Sequence, residues 1–139
     1  MKVSLRKVLK KDWDFILSLR NSDQYRNFFY NQEKIKKDEH YNYMRIQKSN
    51  PKFVNWIICY GTYDVGYIRI LENDISIMLS DKFTNKGIGT IALNLMQIEA
   101  KKMGLLKLVG RVMIDNSSSK KIFEKNDYKL KMYWFEKEI

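Results

Sequence analysis

Residues 74–90 read Asp-Ile-Ser-Ile-Met-Leu-Ser-Asp-Lys-Phe-Thr-Asn-Lys-Gly-Ile-Gly-Thr, and this stretch decides the fold. Asp74–Leu79 reads as a strand. Gly87 and Gly89 then open the most regular helix in the chain, in which Ile88, Ile91, Ala92, Leu95, Met96, Ala100 and Met103 share one face while Thr90, Asn94, Gln97 and Lys101 share the other. Two glycines one residue apart let main-chain N–H groups point out of an open turn. The helix adds its own unpaired N-terminal N–H groups and its dipole, which together suit a diphosphate. The P-loop pattern is absent. Gly87, Gly89 and Ala92 satisfy the dinucleotide fingerprint literally, but they follow the fourth strand of a meander instead of the first strand of a βαβ unit.

Upstream of that stretch, residues 2–9 alternate as a short strand. Asp12 opens an amphipathic helix through Asn21, residues 22–34 read as a short helix and loop, and residues 36–48 as another helix stopped before Pro51. Residues 53–60 and 65–71 are strands joined by the Gly61–Asp64 turn. Downstream, Gly104 ends the long helix and residues 106–114 form a strand. Asn116 caps a helix through Lys125, Asn126 is its left-handed terminator, and residues 128–139 form a last strand. The expected architecture is one α/β (α+β) domain over residues 1–139, with a mixed, mostly antiparallel sheet of about six strands flanked by about four helices.

The 139 residues are 45% hydrophobic and 14% aromatic, enough for one core and unlike a disordered chain. No apolar run approaches a membrane span and no signal-peptide core is present, so a cytoplasmic protein is expected, with no membrane partner. One cysteine and one histidine leave no basis for a disulfide or a metal site. Cys59, between Ile58 and Tyr60, reads as a core residue. Trp56 and the run Tyr133-Trp134-Phe135 read as sheet-face packing. The net charge of +10 favours an anionic partner without choosing among nucleic acid, membrane, coenzyme and nucleotide sugar.

Residues 74–90 resemble motif A of the GNAT acetyltransferase superfamily, (Gln/Arg)-x-x-Gly-x-(Gly/Ala), with Thr84 where Gln or Arg is usual. Asn116–Tyr128 resembles the later family element N-x-x-A-x-x-L-Y-x-K-x-G-F, and the order of elements matches as well. The resemblance implies acetyl-CoA as acetyl donor and a sheet splayed between its fourth and fifth strands. It implies that Thr84, Asn85, Lys86, Gly87, Ile88, Gly89 and Thr90 hold the diphosphate, with Lys86 or Lys82 supplying charge. Main-chain groups near Met78 and Leu79 would bond to the pantetheine arm and face the thioester oxygen. Asn116, Ser119 and Phe123 would complete the cofactor site.

In such a site the amine attacks directly, without a covalent enzyme intermediate, and catalysis rests on positioning and removal of a proton. Asp74 is the candidate base, with His40 as the alternative. Phe123 stands where the family often has a tyrosine that protonates the thiolate, leaving water, Tyr128 or Tyr133 for that part. For the acceptor, Leu19-Arg20-Asn21, Tyr25-Arg26-Asn27-Phe28-Phe29 and Glu39-His40 resemble a subgroup that acetylates the 4-amino group of UDP-linked deoxy-amino sugars. That resemblance implies Arg20, Asn21, Tyr25, Arg26 and His40 as substrate-binding residues, with the aromatic residues of 25–30 covering the uracil or the sugar methyl. The partner expected is thus a small amine, with the protein a monomer or homodimer. An acetyltransferase of protein N-termini is the nearest alternative. A non-catalytic coenzyme A sensor or a basic nucleic-acid-binding module remains from other classes, although no RNA-binding strand motif is present.

Overall fold

The computed structural model describes every residue except Phe28 and Tyr30. Among the described residues five strands form one sheet in the order β1-β2-β3-β4-β5. They are β1 (Val3–Lys7), β2 (Phe53–Tyr60), β3 (Tyr63–Leu71), β4 (Asp74–Leu79) and β5 (Val109–Gly110), and the helices are α1 (Trp13–Asn21), α2 (Asp23–Arg26), α3 (Lys37–Gln47), α4 (Ile88–Lys102) and α5 (Ser117–Lys125). β1 to β4 pair antiparallel as a meander, and β5 joins β4 in parallel through the α4 crossover.

The sheet is covered on both faces, which is why β2 carries the unbroken apolar run Trp56-Ile57-Ile58-Cys59. Alternate residues serve opposite cores. Trp56, Ile58, Ile68, Ile70, Ile75 and Leu79 pack under α4 and α5, while Ile57, Cys59, Tyr67 and Met78 pack under α1 and α3 with Trp13, Ile16, Leu19 and Met44. A buried anchor ties the first strand to α1. Arg6 donates to both oxygens of Asp12 at 2.8 Å, and Leu9 N–H donates to the same carboxylate. The Arg6 guanidinium holds the Asp12 carboxyl below the usual carboxylate range.

The long helix buries Ile88, Gly89, Ala92, Leu93, Met96 and Ala100, so its buried stripe is rotated from the expected one. Leu93 is inside, while Ile91 and Met103 face solvent. Gly104 ends α4 in the left-handed region at φ 83°, as expected, but at the end of α5 that conformation belongs to Asp127 (φ 64°) and not to Asn126. Asn126 instead donates its side-chain amide to Thr90 O and Ile122 O, pinning α5 to the first turn of α4.

The largest differences lie at the C-terminal side. The strand expected over 106–114 pairs only at Val109 and Gly110, and no strand forms over 128–139, so the sheet has five strands and not six. A ladder needs a partner edge, and the chain leaves β4 after Gly110, presenting none. Tyr133, Trp134 and Phe135 are consequently exposed, whereas Trp56 is buried in the sheet. Among the described residues no helix is long and apolar enough to cross a membrane.

Candidate active site

The site is built where β4 parts from β5. The pairing of β4 with β5 covers only Asp74↔Val109 and Ile75↔Gly110, leaving Ser76–Leu79 without a strand partner on that side. Ser80 N–H donates to Val65 O on β3, so the alternation of strand amides turns those of Ile77 and Leu79 toward the gap. A cleft of about 70 Å³ lies there, walled by β4, by Arg111–Met113, by Asn116, Ser119 and Phe123 of α5, and by Tyr25 and Phe29 from the other side. The expected splay is present.

At the far end of β4 the chain turns through Asp81–Phe83 into the start of α4. Gly87 is the residue preceding the helix, at φ 81°, with nothing within 4 Å of the position a Cβ would take. That conformation is one only glycine adopts without strain. The first intrahelical bond runs from Ile91 N–H to Gly87 O at 3.2 Å. The N–H groups of Ile88, Gly89 and Thr90 therefore lie before the helical ladder begins. No side chain caps them and no acidic residue stands in the first turn, an arrangement suited to an anion.

Gly89 has a different reason to be glycine. A Cβ there would sit 2.6 Å from Ile122 Cδ1, so its smallness lets α5 close on α4. The two glycines that look alike in sequence serve the turn and the helix packing respectively. Thr84 donates its hydroxyl to Asp81 O, Asn85 adopts the left-handed region at φ 59°, and Lys86 is exposed above the Phe83 ring. Asn116 accepts from Ser119 N–H as the cap of α5 and, with Ser119, lines the cleft.

Phe123 is buried, its ring edge-on to Tyr128 at 5.0 Å and against Gly110 of β5. It forms an apolar wall with no proton to give. The Tyr128 hydroxyl is buried with no hydrogen-bond partner, and desolvation pushes its phenol up to about 12. Tyr128 does not line the cleft, and Tyr133 is exposed. Neither stands where Phe123 does.

Asp74 lies at the closed end of the splay. Its two carboxylate oxygens accept from Arg69 at 3.2 Å and from Arg111 at 3.1 Å, and Arg111 lines the cleft. His40 is buried on α3 with Nε2 bonded to Trp13 O at 2.8 Å, and desolvation lowers its proton affinity. It is a neutral tie between α1 and α3 and does not line the cleft. Cys59 is buried in the α1/α3 core, its thiol pushed up by desolvation, as a core residue should be.

The remaining residues expected at the acceptor side divide. Tyr25 reaches the cleft, and its hydroxyl accepts from Leu79 N–H at 2.7 Å. Arg20 lies 3.8 Å over the Phe29 ring and donates to Asn31 O, with its second terminal nitrogen buried and unpartnered. Arg26 pairs with Asp23, and Asn21 holds the main chain of Ile35 through both its amide atoms. None of these three lines the cleft. Phe28 and Tyr30 lie outside the described residues.

Sequence reasoning missed Arg111, Ser76, Val112 and Met113 as lining residues. Only the parting of the strands exposes them, and no local pattern marks where a strand leaves its neighbour. Beside the end of β4, an open groove runs between Leu19, Ser22, Asp23, Gln24 and Leu79, Ser80, Asp81. Among the described residues no group of His, Cys, Asp and Glu is placed to hold a metal ion.

The comparisons agree with this geometry. The family described as acetyltransferase (GNAT) domain matches residues 2–129. The chain is 26% identical to the uncharacterized protein MJ1062 of Methanocaldococcus jannaschii, over 92% of this chain, and it spans 28% of that relative's length. A domain of known crystal structure from Methanocaldococcus jannaschii superposes with a TM-score of 0.82 at 26% identity, covering 92% of this chain and 88% of the other. Spermidine N-acetyltransferase from Vibrio cholerae, solved with CoA and spermine, superposes at 0.76 and 16% identity, with 88% and 78% covered, a likeness of fold. The meander, the splay after Ile75 and the uncapped start of α4 are thus those of a chain that belongs to the GNAT acetyltransferase family.

Proposed function

We propose that the chain transfers an acetyl group from acetyl-CoA to a primary amine of a small molecule by direct attack. The observation that carries this reading is the uncapped N-terminus of α4 lying at the end of an unpaired β4 edge. The site fits the donor: the N–H groups of Ile88–Thr90 suit a diphosphate, and the Ile77 and Leu79 amides suit the amides of an extended arm. When bound, acetyl-CoA supplies an acyl carbon activated by a thiolate leaving group. Phe123, Val112 and Met113 give the cleft its apolar lining. A main-chain N–H on the β4 edge stabilises charge developing on the acyl oxygen. Asp74, fixed by Arg69 and Arg111, is the candidate acceptor of the ammonium proton through water, and Asp74→Asn is expected to lower turnover while sparing donor binding. Unchanged turnover removes it from the mechanism. In this reading His40, bonded to Trp13 O away from the cleft, is a structural residue.

The acceptor enters through the groove beside Leu79. A UDP-linked 4-amino sugar, the reading suggested by Arg20, Asn21, Tyr25 and Arg26, needs a guanidinium for its diphosphate, and Arg20 supplies it only by leaving the Phe29 ring and Asn31 O. A cationic amine is the second reading. It is favoured by Asp23 and Asp81 in the groove and by the polyamine substrate of the Vibrio cholerae enzyme. Coenzyme A release measured against UDP-4-amino sugars, polyamines and N-terminal peptides decides among them. Reaction of peptides alone would overturn the small-molecule assignment, and no release with any amine would leave a coenzyme A sensor.

A further inference from the structure

One edge donor of the splay already has a partner. Leu79 N–H donates to the Tyr25 hydroxyl at 2.7 Å, a short bond made across the sheet by a residue 54 positions earlier. Tyr25 comes from α2, a helix of four residues with none fully buried, tied to itself by the exposed Arg26–Asp23 pair. Its ring packs on the edge of the α1/α3 core, and burial raises its phenol. Tyr25 and Phe29 are the two cleft walls that belong to neither the sheet nor α5 and the segment before it. The cleft they close holds about 70 Å³, against roughly 300 Å³ or more for pockets that take cofactor-sized molecules. Two independent features thus converge on one residue: the donor it holds and the space it closes. The other walls are β4, the segment Arg111–Met113, and the cap and inner face of α5.

We propose that Tyr25 is a latch on the donor cleft, a positioning residue whose hydroxyl holds the Leu79 amide until the pantetheine arm of the donor takes that bond and moves α2 aside. The proposal rests on the acyl-CoA reading of the site. The latch competes with the arm alone, because the diphosphate is held elsewhere, at the start of α4. Removing the hydroxyl therefore strengthens the binding of ligands that carry the arm and leaves those without it unchanged.

The test is calorimetry on the full chain with two ligands: CoA, and adenosine 3′,5′-bisphosphate, which lacks the arm. Tyr25→Phe keeps the ring and removes the hydroxyl. The expected result is a Kd for CoA about three- to tenfold lower than wild type, the worth of one hydrogen bond to a main-chain donor. The Kd for the bisphosphate should stay within about twofold of wild type on the same ground, since it meets no bond that the hydroxyl holds. The ratio of the two constants cancels any loss of folded protein, and Tyr25→Leu must shift it in the same direction. An unchanged ratio, or weaker binding of CoA, overturns the latch while leaving the acyl-CoA reading in place. A wild-type protein that binds neither ligand overturns both.

Discussion

The two faces of the sheet handle polar groups by opposite means. On the α4/α5 side, the start of α4 leaves the N–H groups of Ile88, Gly89 and Thr90 uncapped, and β4 leaves its edge amides beside a cleft. On the α1–α3 side, polar side chains are consumed in holding the helices together. His40 bonds to Trp13 O, Asn21 to Ile35, Arg20 to Asn31 O over Phe29, and Asp12 to Arg6 and Leu9. The first face offers main-chain donors outward. The second turns side chains inward. The lesson is that charge and hydrogen-bonding type do not mark a ligand site. What distinguishes the candidate site is a set of main-chain N–H groups that the start of α4 and the edge of β4 leave outside any helical or strand ladder.

That contrast can be broken by substitution, and the largest effect is expected at Gly87. Gly87→Asp places a carboxylate at the proposed anion site, and two unit charges about 4 Å apart near a surface interact by about 4 kcal/mol. Calorimetry should show CoA binding weakened about 100-fold or more on that ground. Retention of binding would mean the diphosphate sits elsewhere.

Next is Asp12, the anchor of the other face. Asp12→Ala should lower unfolding free energy by about 1–2 kcal/mol, because the substitution leaves Leu9 N–H without its acceptor and Arg6 with only Asp64 and Lys7 O. Donor affinity should be unaffected. The same anchor sets an acid limit. The Asp12 carboxyl titrates lower in the folded protein than in the unfolded chain, so its contribution is complete above the ordinary value near 3.9 and is lost as pH falls below it. His40 adds an earlier step of the same sign. Its folded-state proton affinity is depressed, so the unfolded chain takes up a proton first and stability declines as pH falls below about 6.5. Denaturant titrations from pH 7 to pH 3 should show both steps, and His40→Gln should remove the first.

A smaller effect separates the two glycines. Gly89→Ala pushes a methyl against Ile122 and should cost about 1–3 kcal/mol of stability. Gly87→Ala meets no neighbour and should cost only about 1 kcal/mol for its positive φ. Equal losses would show that the α4–α5 contact is soft. The smallest expected change is a gain. Tyr128→Phe deletes a buried hydroxyl that has no partner and should raise stability by about 1 kcal/mol, read as a thermal midpoint a few degrees higher.

The sequence by itself determined the meander, the crossover helix and the glycine turn that opens it, because strand alternation, helical period and a glycine before a helix are local properties of consecutive residues. Tertiary structure alone decided the rest. It chose that Gly89 answers to Ile122, that Tyr25 meets Leu79 across 54 residues, and that residues 128–139 find no strand to join. It likewise turned His40 into a helix tie and placed Arg111 against both Asp74 and the cleft. A side chain's partner depends on which distant surface reaches it first, whereas a main-chain donor is aimed by the few residues on either side of it.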